Sequence, residues 1–486
     1  MKVRNLVRFG LNVWRQLRTV FLFCAATAIA SSAQLTTLVD FKGPNGGNPS
    51  NLTQGFDGNL YGTTIFGGTH KLAGTVFKVT TAGKLTTLHD FCSVVHAGEC
   101  DDGYGPLAGL TLATDGSLYG TNTDGGPFNA NYGTIFAITE DGELTTLFDF
   151  PGYPNGWDPR GLVHAANGNF FGVTYYGGTN CASQLGCGTF YETTPEGALT
   201  ILYSFCSQAG CADGSNPYST PIQAANGNFY GTTVSLGSGC CGTIYKITPS
   251  GILTTLHNFN GPDGVSAETL IQGIDGNFYG TTLLGGSSNF GTLFKITPKG
   301  VFTTLHNFCT QTNCPDGSGP TWLLQANDGN FYGVASDGGT NDGGTLFEMT
   351  PGGTLTTLYN FCSQPNCSDG IFPVGIVQYT DGNFYGTTVE GGVISGTGTV
   401  FRFTSGLGPF VGLVRESGAV GQISGILGQG LTGTTAVFLN GTPVSFSVVS
   451  DTYIQATVPA GATSGYVTVD TPSGTLTSNT VFHVIP

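Results

Sequence analysis

Residues with the spacing for proton chemistry are few in this chain. His70 and His96 fall in two loops of one repeat, near Glu99, Asp101 and Asp102. An imidazole brought against a carboxylate is the usual general acid–base pair. The plainer reading of the same residues is a pair of solvated loops. His164 stands apart, on a strand whose equivalents elsewhere carry Gln or Leu. Trp157 and Trp322 lie in or just after loops and offer flat faces to a sugar or peptide, or serve as rim or core aromatics. Ser-His-Asp patterns, G-x-S-x-G, Walker motifs and H-E-x-x-H are absent. Catalytic residues are therefore not assigned, and His70, His96, Glu99 and His164 remain the candidates to probe.

A second set of candidates recurs. NGGNP at 45–49, DGYGP at 102–106, NGWDP at 155–159, DGSNP at 213–217, DGVSA at 263–267, DGSGP at 316–320 and DGIFP at 369–373 share one pattern. Asn45, Asp102, Asn155, Asp213, Asp263, Asp316 and Asp369 would form a ring that could hold a ligand or a cation such as calcium. Against that stands simple turn chemistry, an Asx-Gly bend before a strand-starting Pro. DGGTNDGG at 337–344 has a calcium-loop composition without EF-hand spacing and reads as a loop. No cofactor is implied. Gln54, Leu112, His164, Gln223, Gln272, Gln325 and Gln378 share another repeat position. Glutamines there line a polar channel or bond neighbouring backbone, and the second is the commoner use. His89, His257 and His306 share a position with Val39, Phe148, Tyr203 and Tyr359, which argues against proton chemistry at it.

What positions these residues is a repeat. DGNFYGTT at 275–282 recurs at 57–64, 115–122, 167–174, 226–233, 328–335 and 381–388, with central glycines 58, 52, 59, 49, 53 and 53 residues apart. In the fifth copy ETLIQGI, FYGTT, GTLFKIT and FTTLHNF read as four short strands, separated by DGN, a Gly-rich loop and PKG. A period near fifty built of four strands is that of a β-propeller blade, so the expectation is an all-β, seven-bladed propeller. LTTLVDF at 35–41 is a fourth strand with no blade before it, and the last copy, ending at Thr404, lacks one. Pairing the two would close the ring and remove an open edge.

In such a blade the interblade connections and the second-to-third-strand loops share one face. The variable lengths and twelve of the 13 cysteines fall in those loops, and variable loops on a regular scaffold are where binding usually resides. The cysteines sit in close pairs, Cys92/Cys100, Cys181/Cys187, Cys206/Cys211, Cys240/Cys241, Cys309/Cys314 and Cys362/Cys367, read as local disulfides of an oxidising compartment. The spacing does not suit zinc.

Residues 1–33 read as a signal peptide, with a basic front, an apolar stretch from Thr19 to Ala30 and Ser31-Ser32-Ala33 before Gln34. That stretch is shorter than the ~20 residues a membrane span needs. Without the leader, 10 Lys and Arg face 30 Asp and Glu, a net charge of −20. Such a surface repels nucleic acid and anionic lipid. After a linker at 405–409, residues 410–486 alternate apolar and polar in short strands, expected to form a small β-sandwich.

The repeat, DGNFYGTT followed by GG, GTLFKITPKG and FTTLHNF, resembles the GloVer tandem-repeat family of secreted bacterial proteins over residues 35–404. The resemblance implies export and assigns no biochemical role. The DGN-aromatic blade is also similar to repeats of streptogramin lyases, with no catalytic residue carried over. SGILGQGL, VFLNG, VVSDTYIQATVPAGATSGYVTV and VFHVIP resemble an IPT/TIG immunoglobulin-like domain, which implies a spacer or interaction module. The resulting expectation is a monomeric secreted or cell-surface protein that binds a glycan, peptide or surface protein at its loop-rich face, with no membrane span in the mature chain. The alternatives are an extracellular lyase or hydrolase acting on polysaccharide or a small cyclic substrate, and a purely structural envelope component.

Overall fold

The computed structural model describes residues 34–485 apart from 97–98, 127–131, 180, 182–185, 238–239 and 393–395, with His96 and Glu99 described in their backbone alone. The expected leader, residues 1–33, lies outside the described residues. Among these there is no α-helix, only two 3-10 turns at Ala209–Cys211 and Pro365–Cys367. Among the described residues no helix is long and apolar enough to cross a membrane.

Each copy of the repeat folds into its own antiparallel meander. In the fifth, the strands Val265–Gln272, Phe278–Leu284, Thr292–Ile296 and Phe302–Asn307 lie in that order, with a bulge at Glu268 between Ala267 and Thr269. In the seventh, Ile371–Gln378, Phe384–Glu390 and Thr399–Thr404 are completed by Gln34–Asp40, which pairs with Thr399–Thr404 so that Gln34 faces Thr404 and Asp40 faces Thr399.

Two parts of the DGNFYGTT motif explain why it recurs. The central glycine pairs across the sheet with a third-strand aromatic ring: Gly62 with Phe77, Gly280 with Phe294, Gly386 with Phe401. A Cβ built on Gly280 would stand 2.5 Å from Phe294 Cζ, and on Gly120 the same distance from Phe136 Cζ, so the ring fills the space a side chain would need. The Asp-Gly-Asn bend is the other part. Asp275 Oδ1 accepts the Asn277 amide at 3.0 Å, Gly276 takes φ +76°, and the Tyr279 hydroxyl donates to Asp275 Oδ2 at 2.8 Å. An Asx bend with glycine in the left-handed region turns the chain tightly, and the tyrosine pins that bend to its own strand.

Neighbouring repeats are joined by the recurrent glutamine. Its Oε1 accepts a backbone amide of the preceding repeat: Ala166 to Gln223 at 2.8 Å, Ala225 to Gln272 at 3.0 Å, Ile274 to Gln325 at 2.9 Å, Asn327 to Gln378 at 3.0 Å and Thr380 to Gln54 at 3.2 Å. The last of these links the seventh repeat to the first, as does the Thr387 hydroxyl donating to Ser50 O at 3.0 Å. Where Leu112 replaces the glutamine, Glu140 takes over, accepting the Phe56 amide at 2.6 Å.

Residues beyond 409 form two sheets. One orders Gly412–Leu413, Ile423–Leu427, Tyr453–Thr457 and Ser445–Val448; the other orders Ser417–Ala419, Gly474–Ile485, Gly465–Thr471, Ala436–Leu439 and Thr442–Pro443. They share a core of Val411, Ile426, Leu431, Val437, Ile454, Val469 and Phe482. This pair of sheets rests on the Asx-Gly-Asn end of the repeats. Tyr453 stacks on Phe56 with centroids 3.7 Å apart, Thr452 donates to Phe56 O at 2.6 Å, Gln429 donates to the Tyr379 hydroxyl at 2.9 Å, and Arg415 Nη1 to Ala166 O at 3.4 Å.

Removal of residues 34–41 strips the partner from Thr399–Thr404 and exposes an edge; a marked fall in thermal midpoint is expected, and an unchanged calorimetric melt would contradict this role. Gln54→Ala should cost about 1–3 kcal/mol in denaturant unfolding, because it strands the buried Thr380 amide. Tyr245→Phe should leave stability unchanged or raise it, since that hydroxyl is buried without a partner.

Candidate functional site

The five aspartates of the expected Asx ring are already engaged by neighbouring side chains. Each carboxylate is spent on the loop that carries it. Asp102 Oδ2 meets His89 Nε2 at 2.9 Å and the Ser93 amide at 3.1 Å. Asp263 meets His257 at 2.9 Å, and Asp316 meets His306 at 2.8 Å. Asp213 accepts the Tyr203 hydroxyl and Asp369 the Tyr359 hydroxyl, both at 2.7 Å. Burial opposes ionisation of Asp102, but the bonds from His89 and Ser93 outweigh it and hold the carboxyl below its usual range. The ring is thus a set of clasps between an outer strand and the loop that leaves it. Asn155 sits in the turn closed by Gly152 and Gly156.

The histidine candidates are also dispersed. His70 is half exposed and lies 3.2 Å from Asp90 Oδ2, at the end of its own repeat's fourth strand, rather than against Asp101 or Asp102. The side chains of His96 and Glu99 lie outside the described residues. His164 takes the glutamine position, stacks on Phe170, and leaves Nδ1 buried without a partner. Burial, helped by the charge of Arg415, drops it to about 4, so it is neutral at physiological pH. Trp322 lies in the sixth inner strand, Ser318–Gln325, packed against the core between the sixth and seventh repeats, with its indole N–H buried and unpartnered. The cysteines are bonded as Cys92–Cys100, Cys181–Cys187, Cys206–Cys211, Cys240–Cys241, Cys309–Cys314 and Cys362–Cys367. Sulfurs of Cys181, Cys187 and Cys206 lie within 4.8 Å of one another, but all three are in disulfides and are poor metal ligands.

Charge converges at a different repeat position. Near the start of each inner strand one residue is in the left-handed region: Asn48, Gly105, Asp158, Asn216, Ser266, Gly319 and Phe372 have φ between +53° and +68°. For Ser266 and Phe372 that conformation is costly. The kink sets the position two residues on, which holds Ser50, Leu107, Arg160, Tyr218, Glu268, Thr321 and Val374. Three consecutive repeats thus supply a guanidinium, a phenol and a carboxyl.

Arg160 is 8% exposed. Its Nη2 donates to Asp158 Oδ2 at 2.9 Å, and its Nε is buried with no partner. The guanidinium carbon lies 4.9 Å from the Tyr175 ring centroid and 4.7 Å from that of Tyr218, a double cation–π contact. Asn216 Nδ2 donates to Tyr175 O at 3.0 Å, tying the fourth repeat's kink to the third repeat's loop. Burial pushes Glu268 up to about 7, with Arg160 opposing. Asp158 rises to about 6, raised by burial and by Asp124 and held back by Arg160. Burial also raises Asp124, against a bond from Thr123. Three carboxyls therefore share one arginine, and two of them take up protons near neutrality. Clusters of this kind concentrate at functional sites.

Aromatic rings continue the contacts made by Arg160. Tyr218 meets Tyr175 at 6.3 Å, Tyr175 meets Tyr176 at 4.7 Å, Tyr176 stacks on Trp157 at 4.3 Å, and Trp157 meets Tyr132 at 5.8 Å. All five are half-buried. Trp157 was legible in the sequence as a stacking residue; Arg160, Glu268, Tyr218, Tyr175, Asp158 and Asp124 were not singled out. The available signal was a charged residue on an inner strand of a chain with only 9% charged residues. A surface cleft of about 940 Å³ lies elsewhere, between the fifth and sixth repeats, and is lined by Leu284, Phe290, Ser318, Asp337 and Asp342. It has no comparable group of buried charges.

Among solved structures, virginiamycin B lyase from Staphylococcus aureus aligns over 77% of this chain and 99% of its own, at 16% identity and TM-score 0.51. At that identity the likeness speaks to fold alone, a propeller-like arrangement of four-stranded sheets. A gluconolactonase from Xanthomonas campestris aligns over 67% of this chain and 90% of its own at 12% identity and TM-score 0.40. A luciferin-regenerating enzyme aligns over 78% and 97% at 10% identity and TM-score 0.41. No curated protein matches the sequence. A family model does: the chain belongs to the Gloeobacter/Verrucomicrobia repeat family, matched over residues 25–212, 181–401 and 309–430.

Proposed function

We propose that this chain is an exported, seven-bladed β-propeller with a C-terminal IPT/TIG-type immunoglobulin-like domain, and that it binds carbohydrate at its loop-rich end. Six disulfides suit an oxidising compartment. The C-terminal sheets rest on the Asx-Gly-Asn end through Tyr453 and Arg415, which leaves the loop-bearing end for a ligand. The observation that carries the reading is the group around Arg160. Sugar hydroxyls need hydrogen-bond acceptors and donors, and sugar C–H faces favour aromatic rings. Asp158, Glu268 and Asp124 supply the first, and the half-buried Tyr175 and Tyr218 beside Arg160 the rings.

One observation favours a second reading, a lyase or hydrolase acting on polysaccharide or a small cyclic substrate. Glu268 at about 7 and Asp158 at about 6 beside an arginine are placed to move protons. Titration of a neutral glycan panel separates the two: binding without release of new ends supports a binding protein, and steady product formation supports the enzyme. Arg160→Ala should weaken binding by about tenfold or more, the scale of a lost charged hydrogen bond; undiminished affinity would move the ligand away from this group.

The raised Glu268 also makes a pH prediction. The folded chain keeps this proton from the ordinary 4.5 up to about 7, whereas the unfolded chain releases it earlier. The native state then binds more protons in that window, so stability from this group falls as pH rises through it. Glu268→Gln should match the parent melting temperature at the acid end and exceed it progressively toward pH 7, as read by calorimetry across that range.

A further inference from the structure

We infer that the cleft between the fifth and sixth repeats binds a lysine- or arginine-bearing peptide segment of a partner protein, with the cationic side chain's stem on apolar walls and its charged end against carboxylates. The inference concerns a site apart from the Arg160 group and is independent of the carbohydrate reading. The cleft exists because a crossing side chain is missing. At the left-handed position near the start of the inner strand, five of the seven repeats carry a side chain: Asn48, Asp158, Asn216, Ser266 and Phe372. In the fourth repeat Asn216 Nδ2 reaches across to Tyr175 O of the preceding repeat at 3.0 Å. The sixth repeat has Gly319 at this position, with φ +60°, and Leu283 of the fifth is the counterpart of Tyr175. A Cβ built on Gly319 would stand 3.0 Å from Ser336 Oγ, 3.4 Å from Leu283 Cδ1 and 3.6 Å from Asp337 Oδ2. The side chain that other repeats place here would fill the space between those groups. Without it about 940 Å³ stands open, several times the volume of one side chain and enough for a short peptide.

The lining gives the ligand its chemistry. The fifth repeat supplies Leu283, Leu284 and Phe290, of which the last two are each 44% exposed. The sixth supplies Asp337 and Asp342, and no Lys, Arg or His lines the cleft. Ser318 is a second, independent pointer. It lines the cleft at 7% exposure, and its hydroxyl has no hydrogen-bond partner among the described residues. It lies directly across the sheet from Asp337, so the two side chains leave the sheet on the same face. A buried hydroxyl without a partner calls for one. An ammonium or guanidinium only donates, so it satisfies that oxygen and the neighbouring carboxylate together. The methylene stem behind such a group packs on leucine and phenylalanine, and a cation is attracted to the Phe290 ring. A metal ion would gain nothing from three apolar side chains. A single ring among aliphatic neighbours offers a sugar face little. The walls are already fixed. Cys314 is bonded to Cys309, the Gly339 amide donates to Cys314 O at 2.8 Å, the Gly319 amide to Phe290 O at 2.9 Å, and the Thr340 amide to Asn360 Oδ1 at 2.8 Å. A preformed cleft loses little entropy on binding. Beyond residue 33 the chain has 10 basic residues against 30 acidic ones, a field that steers a cationic partner toward it.

The test is fluorescence anisotropy of residues 34–486 with a dye-labelled hexapeptide alternating leucine and lysine, and with versions carrying arginine, norleucine or glutamate in place of lysine. The lysine and arginine peptides are expected to bind, the norleucine peptide about tenfold more weakly, and the glutamate peptide not at all. Asp337→Asn and Asp342→Asn should each weaken binding about threefold, the scale of an exposed ion pair. Phe290→Ala should weaken it about fivefold. Gly319→Asn puts back the residue of the first and fourth repeats, at a φ that asparagine tolerates and with no change in net charge. It should abolish binding while a thermal melt stays unchanged; the aspartate variants keep the test decisive if it does not fold. Binding that survives a folded Gly319→Asn, or both aspartate variants, is general attraction to an acidic chain and overturns the site. Equal affinity for the norleucine peptide overturns the cation. Tighter binding of a glucosamine oligomer than of the lysine peptide overturns the peptide, and calorimetric heat with calcium that is lost in the aspartate variants overturns an organic ligand. No anisotropy change with either basic peptide overturns the inference and leaves the carbohydrate reading untouched.

Discussion

An aromatic ring laid over a glycine holds every repeat of this protein together. Phe77, Phe136, Phe294, Phe347 and Phe401, with Tyr191 and Tyr245 in the third and fourth repeats, occupy the space that a side chain on the facing second strand would need. The contact does two things. It buries a large apolar surface in a small sheet, and it brings two backbones close enough for the sheet to be thin and strongly packed against its neighbours. The tyrosines in two repeats carry a buried hydroxyl without a partner, a local cost accepted without loss of the ring.

Apolar packing alone would let the repeats slide against one another. Register between them is set by polar groups. The glutamine at the end of each inner strand offers two functions at fixed spacing: Oε1 takes an amide of the preceding repeat, and Nε2 returns to its own bend, as from Gln325 to Gly329 O at 2.8 Å. At two of the seven positions the glutamine is missing. Glu140 replaces it in function where Leu112 stands. His164 fills the slot of the third repeat with its Nδ1 unsatisfied, at the place where Arg415 of the C-terminal sheets reaches Ala166. The irregular repeats are thus where the C-terminal sheets make polar contact with the array, along with Phe56 and Tyr379.

With the Asx-Gly-Asn end occupied and regular, variation is left to the other end. There the clasps formed by Asp102, Asp263 and Asp316 with histidines, and by Asp213 and Asp369 with tyrosines, hold each inter-repeat loop to its outer strand. Disulfides brace four of these five loops, those of Asp102, Asp213, Asp316 and Asp369. Held in this way, the second and third repeats bring Tyr132, Trp157, Tyr176 and Tyr175 into successive ring contacts and keep a guanidinium among carboxyls. A half-buried cluster of like charges is unfavourable unless its scaffold is over-determined.

The repeat, its strand order and the pairing of cysteines close in sequence were all legible in the chain by itself, because each depends on contacts a few residues apart: Asp275 with Asn277, Gly280 with the adjacent strand, Cys309 with Cys314. The spare strand at Gln34 and the vacancy after Thr404 could be matched by counting strands, without coordinates. The glutamine's role could be stated as one of two uses, and the fold selected the backbone-bonding one. Tertiary structure alone decided which charges meet. Asp102 and His89 are thirteen residues apart and turn out to be a clasp, while Arg160, Tyr218 and Glu268 come from three different repeats and meet around one guanidinium. Their convergence depends on a left-handed kink near the start of each inner strand and on the packing of successive inner strands together. Neither has a local signature strong enough to read, since a residue at positive φ is written as Asn, Asp, Ser, Gly or Phe in different repeats.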